Sequence, residues 1–140
     1  MHRILCMIVL CSLGCGEPWN PAGTYELIQV WQGGDCRLTV PRPITLTISP
    51  DREAPSGYTV GVTEPGVQLD AGELLAFDDR CEMNFTLSEP SGVGLPFIGN
   101  AFSLINITER DGDIQGNGSI NVGSPDNCSQ TFTVEGMKIE

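Results

Sequence analysis

The chain has 140 residues, which is enough for one folded domain with a single core. Its 18 acidic and 7 basic residues give a formal net charge of -11 at pH 7. A surface with this charge repels the phosphate backbone of nucleic acids, so nucleic-acid binding is not expected. The 17 glycines and 10 prolines, with only 18% charged residues, favour many short strands joined by turns over a helical fold.

The first fourteen residues have the order of an export signal. Met1 to Arg3 form a short basic start, the ten residues from Ile4 to Leu13 form an apolar run, and the small Gly14 follows. A helix needs about 20 apolar residues to span the hydrocarbon of a bilayer, so this run is too short for a transmembrane helix. We therefore predict a signal peptide over residues 1–14 that is removed on export.

The end of the leader, Ser12-Leu13-Gly14-Cys15, resembles the lipobox of bacterial lipoproteins, with Ser12 at the position where that motif usually has Leu. The resemblance implies that Cys15 carries a diacylglycerol and becomes the mature N-terminus. It further implies that residues 15–22 form a tether and that the membrane is bound through this lipid. Gly16 implies sorting to the outer membrane in a Gram-negative cell, so the expected location is the cell envelope.

Ordinary signal cleavage is the alternative for the same segment. Cleavage after Gly14 or Gly16 would release a soluble, secreted protein. If Cys15 stays in the mature chain without lipid, the mature protein has four thiols, an even number that suits two disulfides. The four are Cys15, Cys36, Cys81 and Cys128.

Residues 23–140 are predicted to form one all-β domain. Apolar and polar side chains alternate in nearly every segment, as in Ile44, Leu46 and Ile48, which share one face while the threonines between them share the other. Such half-buried strands are typical of an antiparallel sheet. The predicted strands lie near residues 23–31, 43–49, 57–63, 73–78, 81–88, 101–109, 113–122 and 129–139. We predict that this antiparallel meander of about eight strands closes into a small barrel, because closure leaves no unpaired strand edge. A two-sheet sandwich is the alternative.

The clearest hairpin surrounds Asp111-Gly112. Asp-Gly supplies the positive φ angles that a two-residue turn of the primed type requires. In the second arm, Gly116 and Gly118 fall on the same face as the apolar residues. Glycine at two successive inward positions allows the strand to bend or something to approach its backbone closely.

A closed meander also predicts one disulfide. Alternating strand directions bring the end of the first strand, near Cys36, and the start of the last, near Cys128, to the same rim of the barrel. These two strands become neighbours when the barrel closes, so Cys36–Cys128 is the expected bond. Cys81 is expected at the opposite rim, where it reaches Cys15 only if Cys15 carries no lipid.

No catalytic constellation is apparent in the mature chain. The one histidine, His2, lies in the leader, and the one lysine, Lys138, lies near the end of the chain, which removes the usual bases and Schiff-base formers. A group of carboxylates is interpreted as solvated turns rather than a calcium or glycosidase site. The group comprises Asp70, Glu73, Asp78, Asp79 and Glu82. We predict no metal, no cofactor and no enzymatic activity, with a carboxylate-dependent secreted hydrolase as an alternative.

The start of the predicted domain carries a second resemblance. Gly23-Thr24-Tyr25 is similar to the Gly-x-Trp signature of lipocalins, with Tyr in place of Trp. That resemblance implies a barrel that holds a small apolar ligand in its mouth, and hence a soluble carrier. The sequence thus predicts a lipid-anchored envelope protein whose barrel binds an unspecified protein or small ligand, with the soluble carrier as the alternative.

Overall fold

The computed structural model describes residues 20–64, 67–77, 81–89 and 95–139, with only the backbone described over 67–77. No helix in this part of the chain is long and apolar enough to cross a membrane. The strands are β1 (Gly23–Gly34), β2 (Arg42–Pro50), β3 (Tyr58–Glu64), β4 (Val67–Phe77), β5 (Glu82–Glu89), β6 (Ala101–Arg110), β7 (Asp113–Val122) and β8 (Cys128–Lys138).

The eight strands form one closed antiparallel barrel. Each strand pairs with the next along the chain, and β1 also pairs with β8. Closure gives every strand two neighbours, so the sheet has no free edge for another chain to pair with. The predicted all-β barrel is confirmed, and the two-sheet sandwich is not what forms.

The fourth strand is the one whose extent the sequence pattern predicts worst. β4 begins at Val67, whereas the alternation indicated a start near residue 73. Its pairing with β5 shifts register between Ala71 and Leu74 and again before Ala76. Residues 67–71 alternate as in the other strands, but the bulges interrupt this alternation before Leu74 and again before Ala76. The two halves therefore do not form one continuous pattern, and the prediction covered only the second.

Alternate residues of the strands fill the barrel interior with one core. The largest side chains in it, Tyr25, Phe85 and Phe132, are at most 1% exposed. Aliphatic residues from β2, β3, β6 and β7 complete the same cluster. Burying an aliphatic or aromatic side chain contributes about 1.5–3 kcal/mol, so this core supplies most of the driving force for closure.

The hairpin between β6 and β7 has the turn that its sequence predicts. Asp111 and Gly112 have φ values of 51° and 87°. Two successive positive φ angles match the right-handed twist of the flanking strands, which is why a two-residue turn suffices. The ladder of paired residues then runs without interruption from Arg110 opposite Asp113 to Ala101 opposite Val122.

The inward glycines of β7 allow close packing within the barrel. A Cβ atom on Gly118 would lie 2.5 Å from the Leu104 carbonyl oxygen and 2.5 Å from Cζ of Phe132. The phenylalanine ring therefore occupies the space that a side chain at position 118 would need. The sequence allowed two explanations for this glycine, a bend in the strand or the close approach of another group to its backbone. The structure supports the second, and the group is the Phe132 ring of the protein's own core.

We predict that Gly118→Ala destabilises the protein by about 1–3 kcal/mol, the usual cost of overpacking a core. Gly33→Ala is the matched control, because no atom lies within 4 Å of the position a Cβ would take on Gly33. Urea unfolding of both variants measures the difference. Equal stability of Gly118→Ala and the wild type would contradict the tight packing of Phe132 against β7.

The disulfide expected from closure is present. Cys36 and Cys128 are bonded, with Cα atoms 5.1 Å apart and a sequence separation of 92 residues. Beside it, the backbone N–H of Ser129 donates to Oδ1 of Asp35 at 2.8 Å. The bond therefore ties the loop after β1 to the start of β8 at one rim of the barrel.

Candidate functional site

A buried ion-pair network lies inside the barrel, formed where β2 begins and β3 and β5 end. Nε of Arg42 lies 2.7 Å from Oε2 of Glu64, and Nη1 of Arg42 lies 3.0 Å from Oε2 of Glu89. Nη2 of Arg42 bonds the second oxygen of Glu89, so this contact is bidentate. Arg42 is 6% exposed and Glu89 2% exposed. One guanidinium thus joins three strands through two carboxylates.

The protonation of Arg42 follows from this arrangement. Burial alone lowers the pKa of a guanidinium, because it penalises the charged form. The hydrogen bonds and charges of Glu89, and then of Glu64, outweigh burial and raise the pKa of Arg42 above its ordinary value. Arg42 therefore stays charged, and both carboxylates are engaged in holding it.

Two uncharged polar side chains in the interior have no such partners. Gln29, whose Cα pairs with that of Arg42, and Ser103 on β6 are both 0% exposed. Within the described residues, neither the amide group of Gln29 nor the hydroxyl of Ser103 forms a hydrogen bond. The interior of the barrel is thus apolar in most of its volume but includes polar groups from β1, β2, β5 and β6.

A third inward polar side chain fixes the loop that follows β1. Nε2 of Gln130 donates to the carbonyl oxygens of Gln32 at 3.1 Å and Leu38 at 2.9 Å. Its Oε1 accepts the backbone N–H of Leu38 at 3.0 Å. Because Gln130 is 4% exposed, these bonds are sheltered from water and hold the loop against β8.

Near the start of β1, Tyr25 lies close to two charged side chains, Lys138 and Glu109. The Tyr25 hydroxyl donates to the carbonyl of Pro21, and Nζ of Lys138 lies 5.4 Å from the centre of the Tyr25 ring. Nζ also lies 3.5 Å from Oε1 of Glu109, an ion pair too long to count as a hydrogen bond. Burial, and then the charge of Glu109, raise the pKa of the Tyr25 hydroxyl above its ordinary value. Tyr25 is therefore a neutral donor at physiological pH.

A groove of about 1020 Å³ lies on the outside of the barrel. It runs across five neighbouring strands, in the order β7, β8, β1, β2 and β3. We call it the outer groove, and its main outward-facing side chains are Glu26, Ile28, Pro43, Asp113, Glu135 and Met137.

Apolar and acidic side chains alternate along the outer groove. Met137 on β8 pairs with Glu26 on β1 and with Asp113 on β7. Ile28 on β1 pairs with Glu135 on β8. Ile28 is 43% exposed and Met137 57% exposed, so each apolar side chain is open to solvent beside at least one carboxylate.

The structure brings together only some of the residues singled out in the sequence. Cys36 and Cys128 meet, whereas Cys15 lies outside the described residues. In the acidic group, Glu82 is exposed, and the side chains of its other members lie outside the described part. Cys81 is buried and disulfide-bonded.

The outer groove is a feature that sequence reasoning missed. Its side chains come from five strands, and alternation marks them only as outward-facing. The sequence did contain one indication of the groove, the apolar residues Ile28 and Met137 at outward positions. A large apolar side chain on the solvent face departs from the expected alternation and can indicate a binding surface.

These observations define a small, closed antiparallel barrel with a filled interior, a buried arginine network and an acidic outer groove. No known protein family, curated protein or solved structure matches the chain. Function must therefore be argued from the residues themselves.

Proposed function

We propose that this protein is an exported, non-enzymatic binding protein of the cell envelope, anchored through lipid on Cys15, whose barrel binds its partner in the outer groove. The observation that carries the binding role is the groove itself, where apolar side chains remain open to solvent between carboxylates. The Cys36–Cys128 disulfide supports export, because disulfides persist in oxidising compartments.

The filled interior supports binding outside the barrel. The inward side chains of β1, β2, β3, β5, β6, β7 and β8 pack as one core, and several of the largest are at most 1% exposed. A carrier of the lipocalin type needs a cup lined by exposed apolar groups. Here Phe85 and Phe132 occupy the interior instead.

The placement of the carboxylates supports a non-enzymatic role. A glycosidase or acid–base hydrolase needs two carboxyl groups that flank a substrate site. Among the side chains that the structure describes, the carboxylates of Glu64 and Glu89 lie near each other, but Arg42 lies between them and bonds both. A hydrolase would have to break this ion pair before either carboxylate could take part in proton transfer.

The anchor predicts a specific result for Cys15→Ser. In a bacterial host with lipoprotein processing, we expect the wild-type protein in the membrane fraction, with the added mass of lipid on a chain that starts at Cys15. Several acyl chains give stable anchoring, so the variant, which has no lipid site, should leave the membrane fraction almost completely. Intact mass and fractionation are the measurements.

Cys11→Ser is the matched control for this experiment, since it replaces a cysteine of the predicted signal peptide. We expect its mature mass and fractionation to equal those of the wild type. If wild type, Cys15→Ser and Cys11→Ser are all found in the soluble fraction, each with the mass of an unlipidated chain, the anchor is wrong.

The disulfide at Cys81 favours a second candidate, a soluble secreted binding protein. Apart from Cys36, Cys81 and Cys128, the sequence has cysteines only at positions 6, 11 and 15. A mature chain that begins at Cys15 offers Cys81 no other partner within the same molecule, and one sulfur cannot hold both a lipid and a disulfide. A peptide map of the unreduced mature protein decides between them: Cys15 joined to Cys81 supports the secreted form, and a lipidated Cys15 supports the anchored form.

A further inference from the structure

We propose that the outer groove binds an extended peptide segment whose groove-facing side chains, which come from every second residue, are alternately basic and apolar. This inference rests on the proposed role of the groove as the binding surface and adds the chemistry of its partner. It is carried by the charge of the groove, by the order of its side chains and by its length.

The charge of the groove is uncompensated. Glu26, Asp113 and Glu135 are exposed, and none of them forms an ion pair within the described residues. No Lys or Arg from the described part of the chain lines the groove. The chain as a whole carries a formal charge of -11, so a cationic partner is attracted, whereas nucleic acid and anionic lipid are repelled.

The carboxylates also repel one another. Glu26 pairs with Met137, and Glu135 lies two residues before Met137 on the same face, so Glu26 and Glu135 are diagonal neighbours. Diagonal side chains on one face lie about 7–8 Å apart. Like charges at this distance destabilise each other, and a cationic side chain placed between them relieves that repulsion.

The apolar side chains require more than a simple cation. Ile28 and Met137 are about half exposed, and covering them contributes roughly 25 cal/mol per Å² of apolar surface. Since Ile28 and Met137 alternate with carboxylates from strand to strand, an occupant gains most if the side chains on its groove-facing side are alternately cationic and apolar. A free metal ion or a small amine leaves the apolar surface uncovered.

The length of the groove indicates a peptide. Five neighbouring strands, spaced about 4.8 Å apart, span about 19 Å. That distance equals about six residues of extended chain at 3.3 Å per residue. A segment of this length crosses β7, β8, β1 and β2 and reaches every carboxylate named above.

The test uses the purified mature protein and two labelled eight-residue peptides. In the Lys–Leu peptide, Lys and Leu take turns at every second position, with serine between them, so that both kinds of side chain lie on one face; the Glu–Leu peptide has Glu in place of Lys. Fluorescence anisotropy measures binding. We expect the Lys–Leu peptide to bind, its affinity to fall as salt is added, and the Glu–Leu peptide not to bind. Failure of the Lys–Leu peptide to bind, or equal binding of both peptides, overturns the inference.

Variants locate the site. Glu26→Gln/Glu135→Gln removes two groove charges without changing side-chain size, and we expect at least a tenfold loss of affinity for the Lys–Leu peptide. Asp51→Asn/Glu53→Gln removes two charges from the turn between β2 and β3 and should bind like the wild type. Equal losses in the two double variants overturn the inference, because binding would then follow net charge alone.

A further variant tests the apolar contribution. Ile28→Thr keeps a β-branched residue in the strand but removes the apolar end of the side chain, and we expect a severalfold loss of affinity. Affinity equal to that of the wild type contradicts a role for the apolar surface. Lipidation at Cys15 is measured separately, so a lipidated protein that binds neither peptide leaves the anchor standing and removes only this partner.

Discussion

Arg42→Met is expected to destabilise the protein by about 3–5 kcal/mol at neutral pH, because it leaves Glu64 and Glu89 without their counter-charge inside the barrel. Methionine has similar length and lacks the charge, so the cost comes from the carboxylates that remain. Urea unfolding at pH 7 measures it.

Two further variants isolate the effect. Arg52→Met removes an exposed arginine from the turn between β2 and β3 and should change stability by less than about 0.5 kcal/mol. Arg42→Met/Glu89→Gln should recover part of the loss, because the amide that replaces the Glu89 carboxylate is neutral and the most buried unpaired charge is then gone. A loss for Arg42→Met that Glu89→Gln does not relieve at all would show that the buried charge of Glu89 is not its cause.

Removal of the disulfide is expected to have an effect of similar size. Cys36→Ala/Cys128→Ala opens a loop of 92 residues, and loop-closure entropy predicts a loss of about 4–5 kcal/mol. The double variant should unfold at a much lower denaturant concentration than the wild type, with the same strands by circular dichroism before the transition. Denaturant unfolding under non-reducing conditions is the measurement.

The double variant has an advantage over treatment with a reductant. Cys81 is also disulfide-bonded, so a reductant breaks more than the Cys36–Cys128 bond. A loss below about 1 kcal/mol, well under the loop-closure value, would contradict the account. It would mean that the bonds of Gln130 and Asp35 hold this rim of the barrel without help from the disulfide.

Alternation along the chain was sufficient to predict most of the strands, because in a closed barrel one side of every strand is buried. Ile44, Leu46 and Ile48 are at most 2% exposed, as the pattern required. The disulfide followed from topology, since closure places the end of β1 beside the start of β8. Both predictions rest on local periodicity and short connections, which a single sequence displays.

The polar groups of the interior could not be predicted in this way. Arg42 and Glu89 stand at strand ends, where charged residues usually turn to solvent, and their pairing joins positions 47 residues apart. Only the curvature and tilt of the closed sheet bring them together. The outer groove could not be predicted from the sequence for the same reason. Its carboxylates become neighbours only through the register of β7, β8 and β1.

The central claim is that the barrel binds on its outer groove and not in its interior. Its most direct test is an NMR titration of isotope-labelled protein, first with the Lys–Leu peptide and then with decanoate as an apolar ligand. We predict that the peptide shifts the amide signals of Glu26, Ile28, Glu135 and Met137, and that decanoate leaves the methyl signals of Leu87 and Ile105 unchanged. Shifts of these interior methyl groups with decanoate, and none in the groove with the peptide, would contradict the account and establish the carrier instead.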